Sequence, residues 1–230
     1  EFKSIDNLRS TDPAFASLWA DGKQPGKDYC KCNSGFVVLA AIVEKVTGER
    51  FDEYAQKYIF GPLHIKASYT PTDFTDGDFV KSYTYSNGEY VHYKKMYRVY
   101  NRENYVPGVS TFKLRVKNDL MISAEDLSKI ILTLANNGHC PLYKVALFSE
   151  ETAERFLKPV KSQKRCSGIN TSAKYVEGAI IYNSTGAWGG TTGMWAFDRD
   201  TKTGFVIMTN GTAKEGFNTS AREAFIESFF

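Results

Sequence analysis

The spacing of apolar residues predicts two helices in the N-terminal part of the chain. The first is the strongly apolar run over residues 35–46, with Asn33 as its N-cap and Gly48 after its last turn. The second begins at Asp52, carries tyrosines on one face and is stopped by Gly61-Pro62. The predicted fold therefore begins with two helices.

Two later helices each begin at a serine, whose hydroxyl can cap a helix N-terminus. Ser123 opens a capping-box-like sequence with Glu125 and Asp126, and helical spacing continues to Asn137-Gly138. Ser149 opens the next helix. The residues predicted to face inward from these two helices are Leu127, Ile130, Ile131, Leu134, Ala153, Phe156 and Leu157.

Between the two helix pairs, residues 68–118 carry many tyrosines that alternate with polar residues. This pattern predicts short strands or an extended excursion, with a hairpin at Asn87-Gly88. Tyrosines near Lys94, Lys95 and Arg98 are also typical of a nucleic-acid stacking platform. Half-buried strands use tyrosine routinely, so we predict strands and no nucleic-acid partner.

Alternating apolar residues predict three strands late in the chain, over residues 178–182, 195–199 and 205–209. A final helix over roughly residues 212–230 follows. The residues that this helix is predicted to bury are Ala221, Phe225 and Phe229. The order of elements indicates an α+β fold in which the strands of the sheet come late in the sequence.

One domain over residues 1–230 is predicted from this order. Within it, residues 33–160 form a mostly helical subdomain that contains the extended excursion. Residues 177–230 contribute the sheet strands and the C-terminal helix.

Composition excludes several classes of protein. The chain has 230 residues, 42% hydrophobic and 24% charged, which is ordinary for a globular protein and not for a disordered or fibrous one. Its 29 basic and 26 acidic side chains leave a net charge of +3, too balanced to indicate nucleic acid or an anionic membrane. The longest apolar stretch, residues 36–43, is far shorter than the roughly 20 residues that span a bilayer, so no membrane span is expected.

No signal peptide is visible, and Glu1-Phe2 could be a cloning scar or an end left by proteolysis.

Cysteines and glycosylation sequons bear on the compartment. The four cysteines are Cys30, Cys32, Cys140 and Cys166. They are either buried thiols or two disulfides in one of three pairings, of which a bridge within Cys-Lys-Cys is the most strained. Sequons occur at Asn170, Asn183, Asn210 and Asn218. They favour a secreted or extracellular glycoprotein, with the mitochondrial intermembrane space as an alternative.

Metal and cofactor chemistry is not indicated. His64, His92 and His139 are scattered along the chain without the spacing of metal ligands. The sequence has no phosphate-binding loop and no dinucleotide-binding glycine pattern after a predicted strand. We therefore expect neither a metal nor a cofactor.

The stretch from Pro25-Gly26 through Asn33 to Thr47-Gly48 combines a Pro-Gly pair, an aromatic residue, Asn-Ser-Gly-Phe and an apolar helix ending in Thr-Gly. Four further pieces follow it along the chain: Tyr58-Ile-Phe-Gly-Pro62-Leu63, Met121-Ile-Ser123-Ala-Glu125-Asp126-Leu127, Gly189-Gly190-Thr-Thr-Gly193 and Phe205-Val-Ile-Met-Thr209-Asn210. Together, and in this order, they resemble the serine β-lactamase-like (penicillin-binding-protein-like) superfamily. It includes class C β-lactamases, DD-peptidases, related esterases and the animal mitochondrial β-lactamase-like protein.

This resemblance implies an antiparallel sheet with helices on both faces beside a mostly helical subdomain, with the N-terminal part of that fold missing here. It also implies serine acyl transfer, in which a serine attacks an amide or ester and forms an acyl-enzyme. Such chemistry needs an activated nucleophile, a base that takes its proton and donors for the oxyanion.

The family's nucleophile and its lysine lie in a Ser-x-x-Lys motif at a helix start, N-terminal to a Tyr-x-Asn loop. This chain has no Ser-x-x-Lys before that loop. Ser110-Thr-Phe-Lys113 matches the letters, but it comes later, in a segment predicted to be extended. Serine and lysine would not share a helical face there, so we do not expect Ser110 to be the nucleophile.

The family's Tyr-x-Asn motif is altered. Lys31 occupies the tyrosine position, Asn33 matches the asparagine, and Tyr29 lies two residues too early. Lys31 could act as a base if burial lowered its pKa. The alternative is a surface or salt-bridged lysine in a degenerate site.

The family's third motif, Lys-Thr-Gly or His-Thr-Gly, lies on the strand that lines the site. Aligned on the glycines, Ala187-Trp188-Gly189 stands at this position, without the basic side chain and with an indole in place of a small hydroxyl. Lys202-Thr203-Gly204 has the right letters, but it falls in the turn before the last predicted strand and is interpreted as a coincidence.

Three functions follow as hypotheses. The favoured one is a degenerate, catalytically inactive family member that acts by binding or assembly, with Lys31, Asn33, Ala187, Trp188 and Gly189 as vestigial motif positions. The second is part of an active serine hydrolase whose nucleophile lies on a missing N-terminal segment. The third is an unrelated glycoprotein with fortuitous matches.

A protein partner is expected from the same resemblance. Without the family's N-terminal strands and nucleophile helix, an apolar face of the fold would be open. The chain is therefore predicted to associate with an N-terminal segment on another polypeptide or with itself.

Overall fold

The computed structural model describes residues 22–24, 27–28, 32–94, 99, 101–159, 165–172, 177–212 and 219–230. Contacts divide the chain into two compact units. The first comprises Glu1–Gly61, Ala67–Asp73 and Tyr97–Met121, and the second comprises Pro62–Lys66, Phe74–Met96 and Ile122–Phe230. The units interleave along the sequence, whereas the pattern of elements predicted contiguous blocks.

The first unit begins with helix α1, Asn33–Thr47. Its N-cap is Cys32, one residue earlier than predicted, and no side chain caps the helix there. The predicted stop is confirmed, because Gly48 adopts a left-handed φ of 73° and its N–H bonds the carbonyl of Glu44. The sequence missed the start because Asn33, a good capping residue, already has helical geometry.

The second predicted helix is present as α2, Phe51–Ala55, which continues into a π-helical turn over Gln56–Phe60. Its N-cap is Arg50 and not Asp52, so the predicted cap is wrong. Asp52 lies in the first turn, where its carboxylate accepts a 2.6 Å hydrogen bond from the Arg50 Nε. The turn ends as predicted at Gly61, whose N–H donates to the Gln56 carbonyl.

Glu44 belongs to the first unit and is fully buried on α1. Its carboxylate accepts hydrogen bonds from the backbone N–H groups of Phe51 and Gly108 at 2.9 and 2.7 Å. It also accepts from the hydroxyls of Tyr105, at 2.6 Å, and Thr111. One carboxylate therefore joins α1 to the start of α2 and to the loop of residues 105–111.

The second unit contains two helices that begin where the serines predicted them. α3 spans Ala124–Ala135 and α4 spans Glu150–Leu157. The Ser123 and Ser149 hydroxyls accept hydrogen bonds from backbone N–H groups of the first turns, as N-caps do. Among the predicted inward residues, Phe156 is an exception, because 37% of it is exposed.

The main sheet of the second unit has five antiparallel strands in the order β5-β6-β7-β8-β9. Their bounds are Arg165–Cys166, Ile169–Ser172, Ile181–Trp188, Thr191–Asp198 and Thr203–Thr209. The three predicted strands are present, but the first two are longer and shifted. They meet at a hairpin turn, Gly189-Gly190, that the apolar alternation did not reveal.

Helices cover both faces of this sheet, as the family resemblance implies. On one face, Ile131 of α3 and Leu157 of α4 pack with Tyr182 and Phe197. On the other face, Ile226 of α5, Thr219–Phe229, packs with Met194 and its neighbours. The α+β fold class is confirmed.

The final helix starts later than predicted and buries a different side chain. Ile226 is fully buried, whereas Phe225 and Phe229 are 44% and 51% exposed. The predicted burial of these two phenylalanines is therefore wrong, and the side chain of Ala221 lies outside the described residues.

Two small sheets complete the second unit. β1, Tyr83–Ser86, and β2, Glu89–His92, form the predicted hairpin, with φ of 51° at Asn87 and 88° at Gly88. β10, Gly211–Thr212, pairs in parallel with β1. The remaining pair is β3 with β4; their bounds are His139–Cys140 and Val145–Ala146.

Candidate functional site

Among the described residues, the second half of β7 is an open strand edge. β6 pairs with β7 through Asn183 and no further, so residues 184–188 have β8 on one side and no described strand on the other. A two-residue hairpin makes Trp188 and Thr191 a hydrogen-bonded pair, and bonding then alternates along the ladder. The backbone N–H and C=O groups of Thr185 and Ala187 therefore point towards the open edge.

Side chains of this segment alternate between the two faces of the sheet. Ser184, Gly186 and Trp188 share the face on which the Tyr182 and Phe197 rings stack at 4.9 Å. Trp188 is 55% exposed on this face. The segment thus presents backbone groups at its edge and an exposed indole beside them.

The hairpin tip is held by close packing against β1. Gly189 and Gly190 have φ of 56° and 80°, which two-residue hairpins favour. A Cβ on Gly190 would lie 2.8 Å from both the N and the O of Tyr83. The Tyr83 N–H in turn donates to the Asn210 carbonyl at 2.7 Å, so neighbouring backbone fixes the tip.

The triplet Ala187-Trp188-Gly189, predicted to match the family's third motif, extends beyond the end of β7. Ala187 and Trp188 are its last two residues, and Gly189 belongs to the turn. Ser184-Thr185-Gly186 lies wholly within β7 and keeps the threonine and glycine of the family triplet. The strand therefore favours residues 184–186 as the equivalent, with serine where the family has lysine or histidine. The sequence signal for this alternative is the Thr-Gly pair within the strand, and Ala187-Trp188-Gly189 stays a prediction.

The structure describes only the asparagine position of the Tyr-x-Asn motif. Asn33 is the first residue of α1 and is exposed, in the first unit. Lys31 and Tyr29 lie outside the described residues, so the hypothesis that Lys31 is a base stays a prediction. Ala187, Trp188 and Gly189 belong to the second unit.

Ser110 and Lys113 lie on a 3-10 turn and not in an extended segment, which corrects the prediction. The turn spans Thr111–Leu114 with Ser110 as its N-cap. Ser110 is 7% exposed, and its hydroxyl accepts a 3.1 Å hydrogen bond from the Val106 N–H. This hydroxyl stabilises the loop and is not presented to solvent as a nucleophile.

The described cysteines are free thiols: Cys32 is exposed, and Cys140 and Cys166 are buried. Burial raises the pKa of the Cys166 thiol to about 11. Cys30 lies outside the described residues. The structure therefore gives no support to the predicted disulfides.

The sequon asparagines differ in accessibility. Asn183 is 3% exposed on β7, which leaves no room for a glycan on the folded chain. Asn210 is exposed, but its amide donates to the Lys81 carbonyl at 2.9 Å. Asn170 is half-buried on β6, and Asn218 lies outside the described residues.

The histidines are dispersed in the second unit. His64 lies against the Tyr143 ring and His92 against the Tyr83 ring, at centroid distances of 4.6 and 5.7 Å. His139 is on β3. The described residues contain no group of three or more His, Cys, Asp or Glu side chains placed to hold a metal ion. Within the same part of the chain, no helix combines the length and apolar character needed to cross a bilayer.

Comparison with solved structures shows a shared fold. A penicillin-binding protein homologue from Pyrococcus abyssi, described as octameric, superposes with a TM-score of 0.64 at 22% identity, over 90% of this chain and 47% of its own. A penicillin-binding protein from Bacillus halodurans superposes with a TM-score of 0.66 at 20% sequence identity, and the match covers 99% of this chain and 63% of that protein. A D-amino acid amidase from Ochrobactrum anthropi SV3 superposes with a TM-score of 0.61 at 15% sequence identity, and the match covers 94% of this chain and 65% of the amidase. The chain thus spans about half to two thirds of the length of these relatives.

Sequence comparison identifies the family. No curated protein matches the chain at a significant level. The family model described as Beta-lactamase, however, matches residues 6–226. With almost its whole length covered by that model, and with the fold of penicillin-binding proteins, the chain belongs to the β-lactamase family.

Proposed function

We propose that this chain is a binding member of the β-lactamase family that does not itself catalyse acyl transfer. The observation that carries the proposal is the open edge of β7 among the described residues, where neither Ser184 nor Ala187, the two candidates for the family's basic position, has a positively charged side chain. A serine hydroxyl bears no positive charge near neutral pH, so it cannot orient a substrate carboxylate or a proton relay as lysine does.

The other groups that move protons are also replaced. Lys31 stands at the position of the family's tyrosine. Ser110 of the Ser-x-x-Lys sequence is buried and hydrogen-bonded within its own loop. Acyl transfer needs a nucleophile and a base together. A buried Ser110 and a lysine at the tyrosine position therefore support a binding role for this chain.

The ligand proposed for this edge is an extended peptide or acyl amide. Thr185 and Ala187 each present an N–H donor and a C=O acceptor to the open side of β7. Peptides bind such edges by adding a strand through main-chain hydrogen bonds. The D-amino acid amidase among the solved relatives was crystallised with D-phenylalanine, a ligand of related chemistry.

Covalent labelling tests the absence of acyl transfer. The purified chain is incubated with a fluorescent penicillin and, separately, with a fluorophosphonate, then denatured and analysed by intact mass. We expect no adduct with either reagent, while a catalytically competent penicillin-binding protein run in parallel is labelled. A stoichiometric adduct mapped to a serine would contradict the proposal.

A second function is an active serine hydrolase of which this chain is one part. It is favoured by the amidases among the solved relatives and by the share of their length, 65% or less, that the chain spans. Lys31 would then serve as the base. This candidate predicts hydrolysis of small esters by the complete protein and loss of that activity in Lys31→Ala. Unchanged rates in the variant would remove Lys31 from the mechanism.

Association with a partner is the third element of the proposal. One face of α1 is buried through Ala40 and Ala41, yet the opposite face is apolar as well. Leu39 and Val46 on that face are 60% and 79% exposed, and a helix that is apolar all round is normally buried. The octameric description of the Pyrococcus abyssi homologue is in keeping with self-association.

Light scattering coupled to size-exclusion chromatography tests this. We expect a mass above 25.9 kDa that falls on dilution. Leu39→Glu should shift the chain towards monomer, whereas Glu49→Gln, a change at a half-buried residue outside α1, should not. A monomer at all concentrations would exclude self-association.

A further inference from the structure

Two glycines face each other across the strands next to the open edge. Gly186 of β7 and Gly193 of β8 are direct partners in the ladder, so their missing side chains lie on the same face of the sheet. This is the face that carries Trp188 and Trp195. We call the gap above the two glycines the glycine notch.

The size of the glycine notch follows from the register. Its walls on β7 are Ser184 and Trp188, four residues apart, or about 13 Å along the strand. Its width is that of two strands, about 5 Å between backbones. An aromatic ring or a long aliphatic side chain fits in such a space.

The glycine notch is empty among the described residues. A Cβ built on Gly186 meets no atom within 4 Å, and one on Gly193 meets the Ile207 carbonyl and the Met208 Cγ at an ordinary 3.8 Å. Neither glycine has a positive φ, so backbone conformation does not require glycine at either position. Glycine inside a strand weakens it and often marks a place where another molecule approaches the backbone.

The lining of the glycine notch is mainly apolar. Trp188 is exposed and Trp195 is held in place by stacking on Phe197, with a centroid distance of 6.0 Å. Met208, which pairs with Gly193, closes the far end. No acidic or basic side chain stands at the ladder positions that border the notch. A charged group would lose hydration there without gaining a partner, whereas an aromatic group would bury apolar surface.

We propose that the glycine notch is a side-chain subsite for an aromatic or long apolar residue of a peptide bound along the β7 edge. This rests on the proposed function, because the peptide backbone must first pair with the edge. A strand added there projects alternate side chains over the two faces of the sheet. Since Gly186 has no side chain, one projecting side chain can pass over it and reach Gly193 between the two indoles.

Binding of matched peptides tests the subsite. The probes are N-acetyl-Ala-Phe-Ala-amide and N-acetyl-Ala-Ala-Ala-amide, each with an L- or a D-residue at the centre. Binding to the full chain is measured by NMR chemical-shift titration. We expect the Phe peptide of one hand to bind at least about tenfold more tightly than its Ala counterpart, and to shift the Trp188 indole N–H signal.

Substitutions separate the subsite from the edge. Gly186→Val fills the notch with a residue suited to a strand, and the open space at this position lets it fold. It should abolish the preference for Phe, so that the Phe and Ala peptides bind with equal affinity. Trp188→Ala keeps the notch open but removes one wall, and should reduce the preference several-fold. Gly77→Val is the matched control, since a Cβ there also meets nothing within 4 Å, and it should change neither peptide's affinity.

The outcomes distinguish this inference from the proposal on which it rests. Equal binding of Phe and Ala peptides would overturn the subsite and leave edge binding intact. A preference for Phe that persists in Gly186→Val would also overturn it. Failure of every peptide to bind would overturn both the edge and the subsite.

Discussion

Glu44 shows how one buried side chain organises the first unit. Its oxygens accept from two backbone N–H groups and two hydroxyls, so a charge removed from water is fully hydrogen-bonded. Burial and the neighbouring carboxylate raise the pKa of Tyr105 well above its usual range. The tyrosine therefore stays protonated and remains a donor to Glu44.

Glu44→Gln should lower the free energy of unfolding by about 2–4 kcal/mol, because the amide places an NH2 group against donors. Urea denaturation followed by circular dichroism measures this. Glu49→Gln is the control, since its ion pair with Lys57 is screened by solvent and should contribute little to stability. Equal effects of the two changes would show that the Glu44 network does not stabilise the fold.

Two nearby glycines should respond in opposite directions to alanine. Gly190→Ala should destabilise by about 2 kcal/mol or more, because φ is 80° and the new Cβ would overlap the Tyr83 backbone. Gly186→Ala should be neutral or stabilising by up to about 1 kcal/mol, because its Cβ has open space. Thermal denaturation of both variants checks this, and a large loss at Gly186 would contradict the open space above it.

At the scale of elements, local side-chain signals were the most reliable. Ser123 and Ser149 cap their helices as predicted, and Asn87-Gly88 forms the predicted turn. These signals succeed because the hydrogen bond or backbone conformation they require is made within a few residues. They failed at Asp52, where Arg50 takes the cap and binds the aspartate instead.

Strand ends were less predictable. The segment of residues 183–193 is rich in polar residues and glycine, so hydrophobic alternation does not reveal its hairpin. The same composition hid the most informative part of the candidate site, the open edge and the glycine pair. The open edge exists because β6 extends beside β7 only as far as Asn183. Strand pairing between separate segments sets this length, so the pattern within one segment cannot predict it.

The 3-10 turn Asp76–Asp78 provides a prediction on pH. Hydrogen bonds from Lys66, at 2.7 Å, and from the Thr75 backbone and hydroxyl lower the pKa of Asp78 to about 2. Because the pKa of Asp78 is lower in the folded chain than in the unfolded one, its carboxylate stabilises the fold above about pH 4. This contribution is lost as the pH falls through 2.

The difference in unfolding free energy between wild type and Asp78→Asn should therefore be largest above pH 4 and shrink towards pH 2. Urea titrations at several pH values and low salt measure it. Asp76→Asn, an exposed change in the same turn, should have little effect at any pH. A difference for Asp78→Asn that does not vary with pH would contradict the hydrogen-bonded carboxylate.

At the scale of the molecule, the family and fold class were predictable and the division into units was not. Short pieces such as Met121 to Leu127 and the strand ending in Thr209-Asn210 carried the resemblance, because they form caps and core positions. The division depends on contacts between residues far apart in sequence, such as the bridge of Ser68 with Met121. No periodicity within one segment reports such contacts.

Thiol accessibility is the prediction that belongs to this scale. In the native protein, Cys32 should react rapidly with a thiol reagent, whereas Cys140 and Cys166 should react after unfolding. Burial and, at Cys166, the raised pKa both disfavour the reactive thiolate. Alkylation followed by peptide mapping, with and without urea, measures this. Protection of Cys32 that reducing agent removes would show a disulfide instead.

The parallel pairing of β1 with β10 has a consequence for the nascent chain. Tyr83 pairs with Gly211, so a ribosome releases the first partner long before the second. At usual rates of synthesis the interval is roughly 10 s, during which one edge of the tyrosine-rich hairpin has no strand beside it. An unpaired edge invites pairing with other chains. Cotranslational holding by a chaperone would therefore matter most in this interval, and ribosomes stalled before residue 211 should yield aggregation-prone products.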